Sequence, residues 1–189
     1  MNESISRYDA DKTGMADYAL ESAGGSIIGT RCSKTYKKGM SQVSVFGIPL
    51  WYATNSPRTV IQPGNLPGQC WPFSGSVGYL VVQLATRIHV TTVSIEHVSK
   101  IITTFGGIES APKEFAVVGL SDSQDVEGTI LGNFTYNKDG LPLQYFDIPV
   151  EHHSSSYLFV ELRVYSNHGN DNYTCLYRFR VHGKPDLKS

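Results

Sequence analysis

From Ser26 onward, short segments rich in Val, Ile, Thr and aromatic residues alternate with stretches rich in Gly, Pro, Asn and Ser. The first group of residues favours pleated strands, and the second favours turns. The pattern predicts seven clear strands, at residues 78–86, 90–98, 115–120, 129–136, 144–150, 157–166 and 174–181. Short strands at such close spacing indicate an all-β chain folded as an antiparallel β-sandwich.

The last two predicted strands alternate with a period of two residues, which is typical of a strand with one buried and one solvated face. One face carries Leu158, Val160, Leu162 and Val164 in the first strand, and Cys175, Tyr177, Phe179 and Val181 in the second. The opposite face carries Tyr157, Phe159, Glu161 and Arg163, and then Thr174, Leu176, Arg178 and Arg180. We therefore expect the charged side chains of both strands to lie on a solvated face.

The first twenty residues follow a different pattern, with apolar side chains spaced by three and four and an interruption at Lys12. The apolar positions are Ile5, Tyr8, Met15 and Ala19. This spacing predicts a helical stem over residues 1–22, weakened by Gly14 and ended by Gly24 and Gly25. The stem is either an amphipathic helix packed on its own domain or the end of a longer, oligomerising coiled coil. Residues 23–185 then form one domain, and residues 186–189 form a C-terminal tail.

Charge and hydropathy bear on the partners of the chain. Sixteen Lys and Arg residues against 17 Asp and Glu give a formal net charge of −1. No excess of positive charge is left for phosphates, so nucleic-acid binding is not expected. No run approaches the ~20 apolar residues of a membrane span, and no secretory signal is recognisable. We expect either a cytosolic protein or a piece of something larger.

The sequence contains none of the common catalytic motifs, such as the nucleophile elbow, the HExxH zinc motif or a phosphate-binding loop. His152 and His153 are adjacent, but neighbours on a strand point to opposite faces, so the pair is a poor metal clamp. We expect it in a solvated loop. A Cys–His nucleophile pair assembled by folding stays open as an alternative. The chain is expected not to be an enzyme.

Three cysteines are an odd number, so at least one thiol is free or pairs with another molecule. Cys70 follows a tightly turning loop at residues 62–69, and Cys175 lies on the inward face of the last strand. The residues alone leave open whether these two are buried thiols or a bridge. A bridge closing a loop of about a hundred residues would stabilise the fold by about 4–5 kcal/mol.

The chain resembles the SUN-domain proteins of the nuclear envelope in four sequence blocks that occur in the family's order. These blocks are DYALES at 17–22, PGQCW at 67–71, SAPKEF at 110–115 and YTCLYRFRVHG at 173–183. The last block is the most specific of the four. The resemblance runs from about Tyr8 to Gly183, which is nearly the whole chain.

The resemblance implies a galactose-binding-like β-sandwich on a short helical stem, assembled as a homotrimer in the perinuclear space. Its partner would be the C-terminal peptide of a KASH protein, so that the pair couples the nucleus to the cytoskeleton for nuclear anchorage and migration. The parent protein would cross the inner nuclear membrane upstream of Met1. A secreted glycan-binding β-sandwich is the alternative, since the family core resembles galactose-binding-like modules. A third candidate, a Cys-dependent hydrolase, would need a histidine beside Cys32.

Family roles carry over to individual cysteines and to a pocket. Cys70 and Cys175 match the intramolecular bridge, and Cys32 matches the cysteine that bonds covalently to some KASH peptides. The residues that match the pocket for the peptide's end are His97, Ser110, Tyr173 and Tyr177. Hydroxyl and imidazole donors suit a terminal carboxylate, and aromatic surface suits a proline-rich peptide end.

Two loops also match functional segments of the family. Residues 34–55 match a mobile β-hairpin lid, whose apolar run VSVFGIPLW at 43–51 a partner strand would cover. An ordinary core hairpin is the alternative for this segment. The loop at 59–70 matches a loop that holds a monovalent cation, K⁺, by main-chain carbonyls. The matching carbonyls are those of Thr59, Gln62, Gly64, Gln69 and Tyr177.

The chain departs from the family pattern before its last strand, where residues 167–170 read NHGN and many family members read Asn-Trp-Gly-His. The loss of an apolar anchor puts the local packing near the pocket in question. Asn133 and Asn172 each begin an N-glycosylation sequon. A glycan at Asn172 would adjoin the pocket, so we expect that residue to stay unmodified. Asn133 is the better acceptor.

Overall fold

The computed structural model of the chain describes residues 13–37, 43–45, 48–50, 55–64, 66–102 and 108–187. Eleven strands lie in this part of the chain, named here in chain order. They are β1 (Ser26–Gly29), β2 (Val43–Val45), β3 (Ile48–Leu50), β4 (Trp71–Ser74), β5 (Gly78–Glu96), β6 (Glu114–Leu120), β7 (Thr129–Thr135), β8 (Leu143–Asp147), β9 (Tyr157–Val164), β10 (Tyr173–Leu176) and β11 (Arg178–Pro185). The described helical elements longer than a single residue are 3₁₀ turns, at Glu21–Ala23, Pro57–Ile61, Lys100–Ile102 and Val150–His152.

Strand β5 is 19 residues long and organises the fold. Its first half pairs antiparallel with β1 on one side and β9 on the other, and its second half pairs with β8 and β11. A register shift between Gln83 and Ile88 separates the two halves. Beyond β9 the sheet continues through β6 to β7. The two halves of β5 thus pair with strands of the two layers of a sandwich, and the expected antiparallel β-sandwich is confirmed.

Two predicted strand boundaries differ from the structure. The strands predicted at 78–86 and 90–98 are one continuous strand, because the chain passes through the register shift without turning. The strand predicted at 174–181 is instead two strands separated at Tyr177. Strand β10 pairs with β4 and β11 pairs with β5, so the chain changes its partner at this residue.

The core is built around large aromatic side chains, with Trp71, Phe73, Phe115 and Phe179 at most 1% exposed. The ring of Phe115 packs edge-on against that of Phe146, with centroids 4.9 Å apart. Complete burial of a side chain such as Phe contributes about 1.5–3 kcal/mol relative to exposure. These rings therefore supply a large share of the driving force that holds the two layers together.

The expectation of a solvated charged face is wrong for both alternating strands. Glu161, Arg178 and Arg180 are all at most 2% exposed. Each has an ion partner from a distant part of the chain: Arg31 for Glu161, Asp17 for Arg178 and Glu96 for Arg180. The faces that carry these charges are covered by other chain segments, and pairing compensates the cost of removing the charges from water.

The N-terminal segment lies against the sheet instead of continuing a helix to residue 22. Tyr18 donates its N–H to the carbonyl of Val181 at 2.9 Å, and its own carbonyl accepts from the N–H of Ala85 at 2.8 Å. Ala19, predicted as a helical stem position, is fully buried in the core. Residues 1–12 of the predicted stem lie outside the described residues. Within the described ranges, no helix has the length and apolar character needed to cross a membrane.

Candidate functional site

The four residues predicted to form a pocket come from three separate segments, and the sheet brings these segments together. His97 directly follows β5, and Tyr177 lies between β10 and β11. Because Arg178 is paired with Glu96, Tyr177 lies beside His97, with ring centroids 4.6 Å apart in an edge-to-face contact. The carbonyl of Ser110 accepts the N–H of Cys175 at 2.8 Å, which fixes the Ser110 turn against β10.

His97 is the most unusual group of this cluster because it is an imidazole with only 2% exposure. Its Nδ1 lies 3.4 Å from the carbonyl oxygen of Val98, and its Nε2 has no hydrogen-bond partner in the part of the chain that the structure describes. Burial lowers the pKa of His97 to about 4, so the ring is neutral at pH 7. A neutral imidazole with one unused nitrogen can exchange a hydrogen bond with a ligand.

The two tyrosines of the cluster differ in their surroundings. The hydroxyl of Tyr177 accepts the N–H of Gly68 at 3.2 Å, and burial raises the pKa of this phenol. Tyr173 is half-buried, and its ring stacks on Tyr36 with centroids 5.0 Å apart and planes 22° apart. The cluster thus offers a polar end at His97 and an aromatic surface at Tyr173.

Tyr36 and Tyr136 belong to the cluster, although no motif in the sequence indicated them. The ring of Tyr136 lies 6.4 Å from that of His97, and its hydroxyl donates to the carbonyl of Pro142 at 2.7 Å. Tyr36 follows Cys32 by four residues and lies within the segment predicted as the lid. Its aromatic character, on a segment expected to cover a peptide, is the one signal that could have indicated it.

Polar side chains hold the loop that departs from the family pattern. The Nε2 of His168 lies 2.8 Å from the carbonyl oxygen of Tyr136. Asn167 donates from its amide to the carbonyl of Asn170 at 2.8 Å and to the hydroxyl of Thr174 at 3.0 Å. Hydrogen bonds therefore fix this loop beside the pocket where many family members have an indole.

Cys70 and Cys175 form a disulfide, with their Cα atoms 5.5 Å apart across a separation of 105 residues. The alternative of two buried free thiols is therefore excluded. Because β10 carries Cys175 in register with Pro72 of β4, the bridge lies at the junction of this two-stranded sheet and the preceding loop. It fixes one end of the candidate cation loop.

Cys32 is a free, exposed cysteine in the turn after β1. The residue before it, Arg31, has a positive φ of 54° and is held by the buried carboxylate of Glu161, with Nη2 and Oε2 2.5 Å apart. The residue after it, Ser33, accepts the N–H of Tyr79 on its hydroxyl at 2.7 Å. The thiol is thus presented on a turn that is anchored on both sides.

The candidate cation loop begins with the 3₁₀ turn Pro57–Ile61, where the carbonyl of Thr59 accepts the N–H of Gln62 at 3.2 Å. Gly64 has a φ of +122°, a conformation that L side chains rarely adopt, so the chain reverses there. Neutral carbonyl oxygens suit a hard monovalent cation better than zinc, which prefers imidazole and thiolate. In the described ranges, no three His, Cys, Asp or Glu side chains form a metal-binding group.

The lid segment is described only in part. Strands β2 and β3 pair antiparallel, with Val43 opposite Leu50, as a hairpin requires. At the base of the segment, the N–H of Tyr36 donates to the carbonyl of Pro72 at 2.8 Å, and the indole N–H of Trp71 donates to the Thr35 hydroxyl at 2.9 Å. The N-terminal end of the lid is therefore joined to β4, next to the disulfide.

A model of the family described as Sad1 / UNC-like C-terminal matches residues 50–185. The chain is 52% identical over 185 residues to SUN domain-containing protein 1 of Homo sapiens, covering 98% of this chain and 24% of that protein. It is 51% identical over 178 residues to the Klaroid protein of Drosophila melanogaster, covering 94% of this chain and 18% of that one. Nuclear migration and anchoring protein unc-84 of Caenorhabditis elegans is 43% identical over 194 residues, covering 97% of this chain and 17% of that protein.

Two groups of solved structures share the fold at low sequence identity. A family 32 carbohydrate-binding module from Streptococcus pneumoniae EndoD superposes with a TM-score of 0.58 at 12% identity, covering 89% of this chain and all of that one. Allantoicase from Saccharomyces cerevisiae superposes with a TM-score of 0.58 at 14% identity, covering 90% of this chain and 43% of that one. Such similarity concerns the β-sandwich alone. The chain spans about a quarter or less of the three relatives named above.

Proposed function

Because the chain belongs to the Sad1/UNC-like family of SUN domains, we propose that it is a non-enzymatic domain that captures the C-terminal peptide of a KASH protein. It would do so as a homotrimer in the perinuclear space, joined to a parent protein of the inner nuclear membrane. The observation that carries the proposal is the buried Nε2 of His97, which has no hydrogen-bond partner in the described residues. A buried polar atom of this kind costs free energy until a ligand satisfies it.

The pocket supports capture of a peptide end by neutral donors. The carbonyl oxygen of Val98 beside Nδ1 can only accept, so the neutral His97 ring carries its proton on Nδ1 and offers Nε2 as an acceptor to the peptide end. The Ser110 hydroxyl, on a turn fixed against β10, is the donor for a terminal carboxylate. The stacked rings of Tyr173 and Tyr36 offer a flat apolar surface for a proline ring. An anion held by neutral donors keeps its charge and gains charge-assisted hydrogen bonds.

The lid hairpin supplies the second half of the proposed contact. A peptide strand that adds to the edge of a hairpin satisfies main-chain groups and covers apolar side chains. The base of the hairpin is joined to β4 through Tyr36, whose ring also stacks on Tyr173 of the pocket. A peptide lying along the hairpin would therefore reach the Tyr173 ring of the pocket.

Cys32 would link the complex covalently. A partner thiol and the Cys32 thiol form one S–S bond while both S–H bonds break. The two protons and two electrons pass to an oxidised dithiol oxidoreductase of the lumen. The anchored turn around Cys32 presents the thiol to solvent, as this exchange requires.

The loop at 59–70 would stabilise the pocket through its contact with Tyr177. The main-chain carbonyls of Thr59, Gln62, Gly64, Gln69 and Tyr177 would hold a monovalent cation, K⁺, which when bound supplies positive charge that draws these carbonyls together. Gly68 of the loop donates to the Tyr177 hydroxyl at 3.2 Å, so the order of the loop is coupled to the position of the Tyr177 ring.

A titration with a synthetic KASH C-terminal peptide tests the proposal. We expect binding by the intact peptide and a loss of about 10- to 100-fold on removal of its last residue, as hydrogen bonds to a charged group are lost. His97→Gln and Ser110→Ala should weaken binding, and Ser154→Ala, in an exposed loop, should not. Equal affinity for intact and truncated peptides would contradict carboxylate capture.

Two further measurements separate the remaining parts of the proposal. Molecular mass by light scattering, with and without residues 1–20, tests whether the stem drives trimer formation or instead inhibits the domain. Binding to immobilised glycans in place of the peptide would favour the carbohydrate-binding alternative. That alternative has weaker support, because the similar carbohydrate-binding module is 12% identical while the SUN relatives named above are 43–52% identical.

A further inference from the structure

We propose that Asn133 carries an N-linked oligosaccharide and that the fold presents this glycan on the outer face of the sheet, on the opposite side of β7 from the aromatic pocket. The inference rests on the luminal compartment in the proposed function, since the enzyme that attaches N-linked oligosaccharides acts in the lumen. It concerns the sequon Asn133-Phe134-Thr135, which lies in β7 and has no part in peptide capture.

Strand geometry separates the acceptor from the core. Phe134 points inward, because its ring packs against Phe115 and Phe146 with centroids 5.7 and 5.4 Å apart. Neighbours on a strand point to opposite faces, so Asn133 and Thr135 share the outward face, where both are exposed. Tyr136, which reaches the pocket near His97, is buried on the inward side.

Cross-strand register shows what surrounds the acceptor. Asn133 lies opposite Ala116 of β6, which is fully buried and lies opposite Arg163 of β9, so the covered part of this face ends before the exposed side chain of Asn133. In the described part of the sheet, β7 is the last strand beyond β6. A glycan at this edge would cover an unpaired strand margin, a surface on which chains otherwise add to one another. It would also exclude this edge from contacts between protomers.

The sequon at Asn172 has the opposite environment. The hydroxyl of Thr174 is fully buried, donates to the carbonyl of Gly75 at 2.8 Å and accepts from the amide of Asn167 at 3.0 Å. The carbonyl of Asn172 also accepts the N–H of Gly75 at 2.8 Å. The fold therefore buries the Thr174 hydroxyl of this sequon, and a glycan on Asn172 would lie beside Tyr173.

The reaction is a glycosyl transfer from a dolichol-pyrophosphate-linked oligosaccharide. The amide nitrogen of Asn133 forms a bond to C1 of the first N-acetylglucosamine, and the bond from C1 to the pyrophosphate oxygen breaks. The amide loses one proton as the dolichyl pyrophosphate leaves. No oxidant or reductant is required.

The test expresses the 189-residue chain behind a secretory signal in animal cells and compares intact mass before and after peptide-N-glycosidase F. In a background of Asn2→Gln, which removes the sequon Asn2-Glu3-Ser4, we expect one glycan on the otherwise wild-type chain, on Asn172→Gln and on Thr135→Ser, and none on Asn133→Gln or Thr135→Ala. Enzymatic removal of the glycan should change the affinity for the KASH peptide by less than twofold, since the glycan lies on the other side of β7.

A reporter separates failure of this inference from failure of the chain to reach the lumen. His152→Asn creates a new sequon with Ser154 in the turn after Val150–His152, where Ser154 is exposed. A glycan on this reporter together with an unmodified Asn133 overturns the inference, while the peptide titration tests the proposed function independently. Absence of both glycans from the secreted chain, which the added signal has carried through the lumen, also overturns the inference. A glycan that persists in Asn133→Gln and disappears in Asn172→Gln also overturns it.

Discussion

Asp17 and Arg178 form an ion pair in the protein interior, with Oδ2 2.5 Å from Nη2 and both side chains 1% exposed. The other carboxylate oxygen accepts the N–H groups of Val181 at 3.0 Å and Ala19 at 2.9 Å. Because 161 positions separate the pair, it joins the N-terminal segment to the last strand. The N-terminal segment is therefore held on β11 by a buried charge pair and its hydrogen bonds.

Asp17→Asn should lower the free energy of unfolding by about 3–5 kcal/mol, because Arg178 stays buried without its counter-charge. Urea unfolding followed by tryptophan fluorescence measures the change. Glu21→Gln is the matched control, since it removes the exposed pair between Glu21 and Arg58 and should leave the midpoint unchanged. Equal midpoints for the two variants would show that the buried pair does not hold the segment.

Stability should fall in mild acid because of His97. Burial lowers the pKa of its imidazole from 6.5 to about 4 in the folded chain, so the unfolded chain binds more protons between these values. The contribution of neutral His97 to the free energy of unfolding is complete above pH 6.5, decreases as the pH falls and is lost near pH 4. The total change is about 3 kcal/mol. Unfolding free energies measured from pH 7.5 to pH 4 test this.

His97→Gln should flatten this pH dependence while leaving a smaller slope from His168, whose pKa burial also lowers. His152→Gln, in the 3₁₀ turn Val150–His152, serves as the control for loss of one imidazole. The interpretation would be wrong if the wild type and His97→Gln lost stability in parallel as the pH fell.

Loss of the disulfide should destabilise the domain strongly. Replacing Cys70 and Cys175 together by Ala opens a loop of 105 residues, which costs about 4–5 kcal/mol on the chain-entropy model. Reduction of the wild type should shift its unfolding midpoint in the same direction and leave that of the double variant in place. Cys32→Ala, at an exposed thiol, is the control expected to unfold like the wild type. A double variant as stable as this control would contradict the prediction.

The local sequence pattern predicted the β-sandwich because strand and turn preferences depend on residues that are close together in the chain. The buried charges could not be predicted this way, since the partners of Glu161 and Arg180 lie 130 and 84 positions away. Alternation distinguishes two faces of a strand but does not indicate whether a second layer covers the outer one. The outcome is a β11 strand with both faces buried over most of its length.

The pairing of Cys70 with Cys175 followed from the family resemblance and not from spacing, which left free thiols open. The contact between His97 and Tyr177 likewise needed the register of β11 on β5, which no local periodicity determines. The prediction for Ala19 was wrong for a different reason. Its spacing fitted a helix, but burial in the sandwich core determines its position. Tertiary packing outweighs a short helical pattern, since brief helices are marginal alone.

Arg31 should set how fast Cys32 is linked to a partner thiol. Its guanidinium binds Glu161 and donates to the carbonyl of Asp125 at 2.6 Å, which holds the turn that presents Cys32. Arg31→Gly tolerates the positive φ at this position but removes the anchor, so the turn samples many conformations. We expect covalent linkage to a cysteine-containing KASH peptide to slow at least about tenfold, a loss typical of misplaced reacting groups.

The measurement pairs this rate, from non-reducing electrophoresis, with two quantities that a general disruption of the fold would also change. The affinity for a peptide whose cysteine is replaced by Ser should stay unchanged, and so should the rate with a small disulfide reagent. Glu161→Gln should slow linkage less, because Arg31 keeps its bond to Asp125. Arg87→Ala, which removes a hydrogen bond to Ser156, is the control. Linkage at the wild-type rate in Arg31→Gly would show that the exposed thiol needs no positioning.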